Sequence, residues 1–478
     1  MKKGIYYYTT EEHLKKIECQ NYLDKQIALE LLSNFTSFTT DENGFTSVSA
    51  RKLQGITHEY KRYISFFVNS HIIYVDNNYI EGEKTRGYKL REEKHSPVVK
   101  IEIENITFLK QKIAFFNSEK EKFRLKETKD QFKKMKSYFT EFVRGIDIDK
   151  AFSIVQQFED INARIQQYKL IDKIKENRLY FKRNKTNFRL DTNLTNLKSN
   201  IKFCNEGEFT QIDISNSQPF FMSLIINSIY YSHNVSRNTP IDIDKQAVKV
   251  WEFCEKELKE ADKKEIEKFN SWVISGLFYD NFVTEKLTRK EAKKIMMCVL
   301  FSKPSSYLKE KKVFAAEFPA INKWVNAFKT KNGYNQFAIM LQRMESHKVL
   351  DVICNDLTAQ DIFNVTVHDS WIIKNEDLDR ALVIIKSHFT TVPNFKFESF
   401  ATTQTATDGN EYNFEYKEEE TKIEITKEMV FTYCIGRGII ATSNSLEKIK
   451  ETIKNEFPDY VLKDPKLFEY KVSNGAMV

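Results

Sequence analysis

Apolar residues along the chain follow two spacings, and the switches between them mark the elements. Leu53, Ile56, Tyr60, Tyr63, Ile64 and Phe67 recur every three or four positions, which predicts a helix from Ser49 to Asn69 with one buried face. Ile72-Ile73-Tyr74-Val75 then reads as a strand, Asp76-Asn77-Asn78 as a turn, and Tyr79 to Leu90 as a returning segment through Gly82 and Gly87. From about 105 to 177 the helical period dominates, almost without Gly and with Lys-rich stretches such as Lys120 to Lys136. Phe209-Thr210-Gln211-Ile212-Asp213 fits a strand that delivers Asp213 at its end, and Phe220 to Tyr231 continues as an apolar helix. Val365-Thr366-Val367 and Trp371-Ile372-Ile373 are β-rich arms around His368-Asp369-Ser370, the pattern of a hairpin with an acid at its tip. Past Thr402 the chain turns polar and acidic from Asp408 to Glu420, and a short mixed tail runs to Val478.

These elements predict an α+β protein, mostly helical with a small antiparallel sheet, in four parts. Residues 1–95 run helix, strand, basic turn (Lys84, Arg86, Lys89) and strand, which resembles a winged-helix module whose helix or wing can contact nucleic acid. A structural cap or protein-docking domain fits that part equally well. Residues 96–177 predict a thumb-like helical region with a solvated face, and 178–402 hold the densest chemical signals. Residues 403–478 form a C-terminal α/β extension.

Composition narrows the class. With 478 residues, 41% hydrophobic and 29% charged, the chain has the balance of a globular rather than a disordered protein. Only 13 Gly and 8 Pro stand against 38 Phe and 22 Tyr, so long helices around an aromatic-rich core are expected. The net charge of +7 is compatible with a polyanionic partner, although most basic runs are simply solvated surface. Tyr180-Phe181-Lys182-Arg183-Asn184-Lys185 interleaves rings and cations in a way that suits a nucleic-acid strand better than charge alone. Six Cys lie far apart without a CxxC pair, which argues against a zinc site or a disulfide framework. The first residues lack a signal-peptide core, and no apolar run approaches the roughly 20 residues that span a bilayer. A cytoplasmic monomer without membrane contact is expected.

Two acids far apart in sequence, each at the end of a strand or hairpin, are what a pair of Mg²⁺ ions needs for phosphoryl or nucleotidyl transfer. Asp213 and Asp369 are the candidates; taken singly, an Asp in such a place is more often a turn or capping residue. Between them lies Arg289-Lys290-Glu291-Ala292-Lys293, continuing to Phe301. Arg289 and Lys293 are four apart and share a helical face that can neutralise a triphosphate. An ordinary basic helix end is the plain alternative.

In this order the three segments resemble motifs A, B and C of the family A DNA polymerases and the phage-type single-subunit RNA polymerases, which share a right-hand palm, fingers and thumb. Asp213 matches the strand-end Asp of motif A. Arg289, Lys293 and Phe301 keep the Arg, Lys, Tyr spacing of motif B, with Phe in place of Tyr, and His368-Asp369 matches the motif C hairpin. Arg178-Leu179-Tyr180 with Thr192-Asn193-Leu194-Thr195-Asn196-Leu197 is similar to the template–primer stretch ahead of motif A. Leu341-Gln342-Arg343-Met344-Glu345-Ser346 resembles the helix before motif C. The resemblance covers about residues 175 to 400. It implies that Asp213, the Ile214 carbonyl and Asp369 bind two Mg²⁺ ions, with Mn²⁺ as a substitute. Arg289 and Lys293 would hold the triphosphate, Lys293 also serving as acid toward pyrophosphate. Phe301 would pack at the nascent base pair and His368 would steady the primer terminus. Arg178, Thr192, Asn196 and Gln342 would contact the nucleic acid. Partners on this reading are a DNA template and primer, nucleoside triphosphates and accessory replication proteins.

Departures from the pattern bear on the sugar. Gln218, five residues after Asp213, stands where the DNA polymerases carry Glu and the RNA polymerases Gly, and its bulk should crowd a 2′-hydroxyl. Phe301 lacks the tyrosine hydroxyl that takes part in ribose selection. Against these, motif C reads His-Asp-Ser as in the RNA polymerases rather than the His-Asp-Glu of the DNA polymerases, and a small residue, Ser302, replaces the usual Gly after motif B. Residues touching the sugar weigh more, so DNA synthesis is favoured. No paired acids resemble a proofreading domain, which points to a phage, plasmid or other mobile element. An RNA polymerase or primase using NTPs, and a DNA-binding replication protein without catalysis, are the competing readings.

Overall fold

Strand alternation and helix capping place the elements much as patterning predicts. The computed structural model of the chain describes residues 5–38, 40–41, 43–76, 85–91, 96–114, 130–230, 258 and 263–400. The expected turn with Lys84, most of the Lys120 to Lys136 stretch and the C-terminal extension 403–478 lie outside these residues. The fold is α+β, mostly helical with small antiparallel sheets.

The N-terminal strands are β1 (Tyr6–Thr10), β2 (Thr46–Ser47), β3 (Ile73–Asp76), β4 (Gly87–Leu90) and β5 (Val98–Glu102). β1 pairs with β5, and β4 lies between β2 and β3, all antiparallel. The helix expected over Ser49–Asn69 divides into Ala50–Gln54 and Tyr60–Asn69. Gly55, a poor helix former, ends the first piece, its N–H closing onto the Arg51 carbonyl. Leu53, Tyr60, Tyr63 and Phe67 are all buried, so the periodic face survives the break. Phe35 stacks on Tyr88 in this core with ring centroids 4.5 Å apart. The core also takes in Val98, Ile103, Ile161 and Ile165. It therefore runs past the expected limit at residue 95, because β5 must pair with β1 to complete the sheet.

A buried acid ties this core to the next segment. Asp172, on the Ile161–Lys175 helix, accepts from the Tyr8 hydroxyl at 2.5 Å and pairs with Lys100 at 3.1 Å and Arg178 at 3.3 Å. Its side chain is 2% exposed. Asp172→Ala removes the buried one of two acids that Lys100 and Arg178 share, Glu176 remaining beside both, so thermal unfolding should show a loss of about 1–3 kcal/mol. Tyr8→Phe removes one hydrogen bond and should cost about 1 kcal/mol.

The larger core surrounds a four-stranded sheet. After the hairpin of β6 (Phe181–Arg183) and β7 (Leu190–Thr192) come β8 (Phe209–Ile214), β9 (Asn364–Val367), β10 (Ser370–Lys374) and β11 (Phe395–Ser399). The strand order is β11-β8-β10-β9, antiparallel throughout. Phe132, Met135, Phe139 and Phe142 line one stripe of the Asp130–Arg144 helix and are buried in this same core. That helix lies within the region expected to be thumb-like, and its apolar stripe packs on this core because it recurs at helical spacing. Phe269, Phe278, Phe282, Phe314 and Phe318 form a ring cluster that fixes the helices around the Arg289–Phe301 segment.

Candidate active site

Alternation along β8 buries Ile212 and Ile214 and sends Asp213 to the opposite face of the strand. Asp213 sits in register with Ser370 of β10 and Lys396 of β11. β9 and β10 are joined by the two residues His368 and Asp369, and His368 takes φ +57°. Histidine tolerates that left-handed backbone better than most side chains. Asp369 thus stands next to Asp213's register partner, and its carbonyl accepts from the Ile214 N–H at 3.3 Å. The structure brings the two sequence-predicted acids together.

Their electrostatics show the cost of that placement. Burial pushes the Asp213 carboxyl well above the ordinary carboxylate range, and the charges of Asp369 and Glu398 push it further while Lys396 and Lys202 oppose. Asp369 is raised as well, again chiefly by burial, and is held back by its backbone hydrogen bond, Arg189, Ser217 and Lys293. Two buried like charges side by side are a standing demand for a cation. Among the described residues no cluster of three or more His, Cys, Asp or Glu is arranged for a metal, so the pair would rely on backbone oxygens and water for further ligands.

The Arg289–Phe301 helix carries Lys293, whose charge acts on Asp369. Thr288 caps it reciprocally with Glu291, which sets its first turn. Ala292, Ile295, Met296 and Val299 are buried, leaving Arg289 and Lys293 exposed on the other side. Arg289 pairs with Asp280 at 3.0 Å and lies 5.7 Å over the Tyr279 ring. Burial pushes the Tyr279 phenol up to about 12; Arg289 opposes the rise and Asp369 adds to it. Phe301, at the far end of the helix, is 37% exposed.

His368 is neutral at physiological pH: burial lowers it to about 4, with Arg189 and Lys202 adding to the effect. Its Nδ1 is buried without a hydrogen-bond partner. Gln218 is the second residue of the Ser217–Tyr230 helix, two after Asn216, which takes φ +54°, and its side chain is buried.

Other sequence-predicted contacts are placed differently. Arg178 is 13% exposed and pairs with Asp172 and Glu176, so it serves the N-terminal junction rather than an open groove. A lone Arg beside an aromatic gives no sign that an acid six residues upstream will claim it. Thr192 is buried in β7, its backbone N–H donating to Thr195 Oγ1 at 2.8 Å. Asn196 is exposed, and its carbonyl accepts from Gln167 at 2.8 Å. Gln342 is half-buried and accepts from Asn187 Nδ2 at 3.2 Å, linking the Gln336–Ser346 helix to the β6–β7 hairpin.

Sequence reasoning missed a buried hub. Glu345 is fully buried and receives Arg189 through both oxygens, Nε at 2.7 Å and Nη2 at 2.9 Å. The same carboxylate accepts from Ser217 Oγ at 2.9 Å and Gln218 Nε2 at 2.6 Å. Burial and the nearby charge of Asp369 raise it, while Arg189 and Ser217 hold it down. Lys202, buried beside Gln211, was likewise missed; burial lowers it against the pull of Glu398 and Asp213. Leu341 to Ser346 signalled a helix, but nothing in that run marks Glu345 as inward.

No protein-family model matches the chain, and no curated protein matches it in sequence. Among solved structures, the POL domain of Pol1 from M. smegmatis, in complex with DNA primer-template and dNTP, is similar at 11% identity and a TM-score of 0.26. The match covers 49% of this chain and 51% of that one, about half the length of each. A similarity so slight carries no functional weight, and the chemistry is read from the residues themselves. Among the described residues no helix is long and apolar enough to cross a membrane.

Proposed function

We propose that the chain is a nucleotidyltransferase that extends a DNA primer on a DNA template with dNTPs, using two Mg²⁺ ions for which Mn²⁺ can substitute. The observation that carries this reading is the meeting of Asp213 on β8 with Asp369 in the β9–β10 turn, with the Lys293 charge acting on Asp369. Asp213, Asp369 and the Ile214 carbonyl would hold the ions. When bound, such ions stabilise the attacking and leaving oxygens of an in-line displacement. Arg289 and Lys293 bind the triphosphate from one helical face, and Lys293 Nζ gives a proton to the departing pyrophosphate. Phe301 packs on the nascent base pair. His368, neutral and held in the hairpin loop, positions the primer end. Gln218 crowds the 2′ position and so selects deoxyribose.

Primer extension with Mg²⁺ tests the reading, run with dNTPs or NTPs and with or without primer and template. Templated dNTP incorporation is expected. Preference for NTPs or synthesis without a primer would instead make the chain an RNA polymerase or primase. DNA binding without turnover would make it a non-catalytic replication protein. Gln218→Gly opens the sugar site, and NTP incorporation should rise by about tenfold or more in kcat/KM relative to dNTP. Unchanged sugar preference would remove Gln218 from the site.

A further inference from the structure

Gln218 does not stand alone. Its Nε2 donates to Glu345 at 2.6 Å, while its Oε1 is buried without a hydrogen-bond partner. A carboxylate offers only acceptors, so the amide has one sensible orientation, with nitrogen toward Glu345. Glu345 is itself fixed from the other side by the two-pronged Arg189 contact, and Ser217, one residue before Gln218, adds a third donor group. Arg189 is the last residue of the β6–β7 loop, and that hairpin is fastened to the Glu345 helix and the helical turn beyond it. Asn187 bonds Gln342, Arg343 Nε donates to the Thr186 carbonyl at 2.8 Å, and Arg183 pairs with Asp351 through both nitrogens at 2.6 and 2.7 Å. The chain therefore runs from a rigid hairpin through a fully buried anion to the one side chain that meets the sugar in the proposed site.

A glutamine has three rotatable bonds, and free it could swing away from a 2′-hydroxyl at little cost. A bulky side chain discriminates only if it cannot move. Three of the four donors sit on Glu345 Oε2 and the fourth on Oε1, so the oxygen that holds Gln218 is fixed from three sides. We propose that Glu345, braced by Arg189, is a positioning residue for sugar choice that locks Gln218 in the rotamer excluding ribonucleotides. This rests on the polymerase reading above.

The experiment measures kcat and KM for a dNTP and the matching NTP in single-nucleotide primer extension with the full chain. Wild type comes first: no incorporation would defeat the polymerase reading itself. Given incorporation, Glu345→Leu made together with Arg189→Met removes the acceptor without leaving a buried cation unpaired. The dNTP-to-NTP ratio of kcat/KM should fall about tenfold, through a lower KM for the NTP. Glu345→Gln keeps one acceptor oxygen and should give an intermediate ratio. In a Gln218→Gly background neither change should move the ratio further, since there is no side chain left to lock. A purely structural brace would lower dNTP and NTP use alike and leave the ratio at its wild-type value, which overturns the proposal. An equal fall in the Gln218→Gly background overturns it as well. Should the double variant not fold, Glu345→Gln decides alone: a drop of about threefold supports the lock, and an unchanged ratio defeats it.

Discussion

Asp213→Asn and, separately, Asp369→Asn should lower templated synthesis by about 10³-fold or more, with affinity for primer–template nearly unchanged. The amide keeps the shape of the carboxyl but loses the charge that a hard divalent ion requires. Burial disfavours ionisation of both side chains, and the charge of Asp369 adds to the effect at Asp213. Removing one of two neighbouring buried charges therefore relieves repulsion. In metal-free buffer each variant should melt no lower than wild type. Activity lost together with stability kept or gained separates a site from a structural pair, for which both would fall. Single-turnover extension in Mg²⁺, with melting followed in EDTA, measures both; activity near wild type in either variant would remove the metal assignment.

Lys293→Ala should reduce kcat/KM for the incoming nucleotide by about 10²-fold or more, again with nucleic-acid binding retained. Lys293 is exposed, four residues from Arg289 on the capped helix, and its charge acts on Asp369. Arg289 already spends part of its charge on Asp280, so Arg289→Ala should cost less. Steady-state titration of dNTP against each variant gives the comparison. Equal and small effects at both positions would detach the helix from the triphosphate.

The parts of this account that were legible in the sequence are those coded locally. Alternation in Phe209 to Ile214 announced β8, the arms around His368-Asp369 announced the hairpin, and the Arg289–Lys293 spacing announced a shared helical face. Each signal lies within a dozen residues and needs only backbone periodicity to be read. Glu345 could not be read this way. An acid on a helix is normally solvated, and its burial depends on Arg189, 156 residues earlier in the chain. The ion pair of Arg178 was hidden for the same reason: its partner Asp172 is unremarkable until the fold closes Tyr8 and Lys100 over it. The N-terminal core overran residue 95 because strand pairing between β1 and β5 is a long-range choice that local composition does not express.

The most direct test of the central claim is diffraction from crystals of the full chain grown with primer–template, a non-hydrolysable dNTP and Mn²⁺. Anomalous difference density should show two ions between the Asp213 and Asp369 carboxylates, with the triphosphate against Lys293 and Arg289. Mn²⁺ bound elsewhere, or a nucleotide seated away from the Arg289–Phe301 helix, would contradict it.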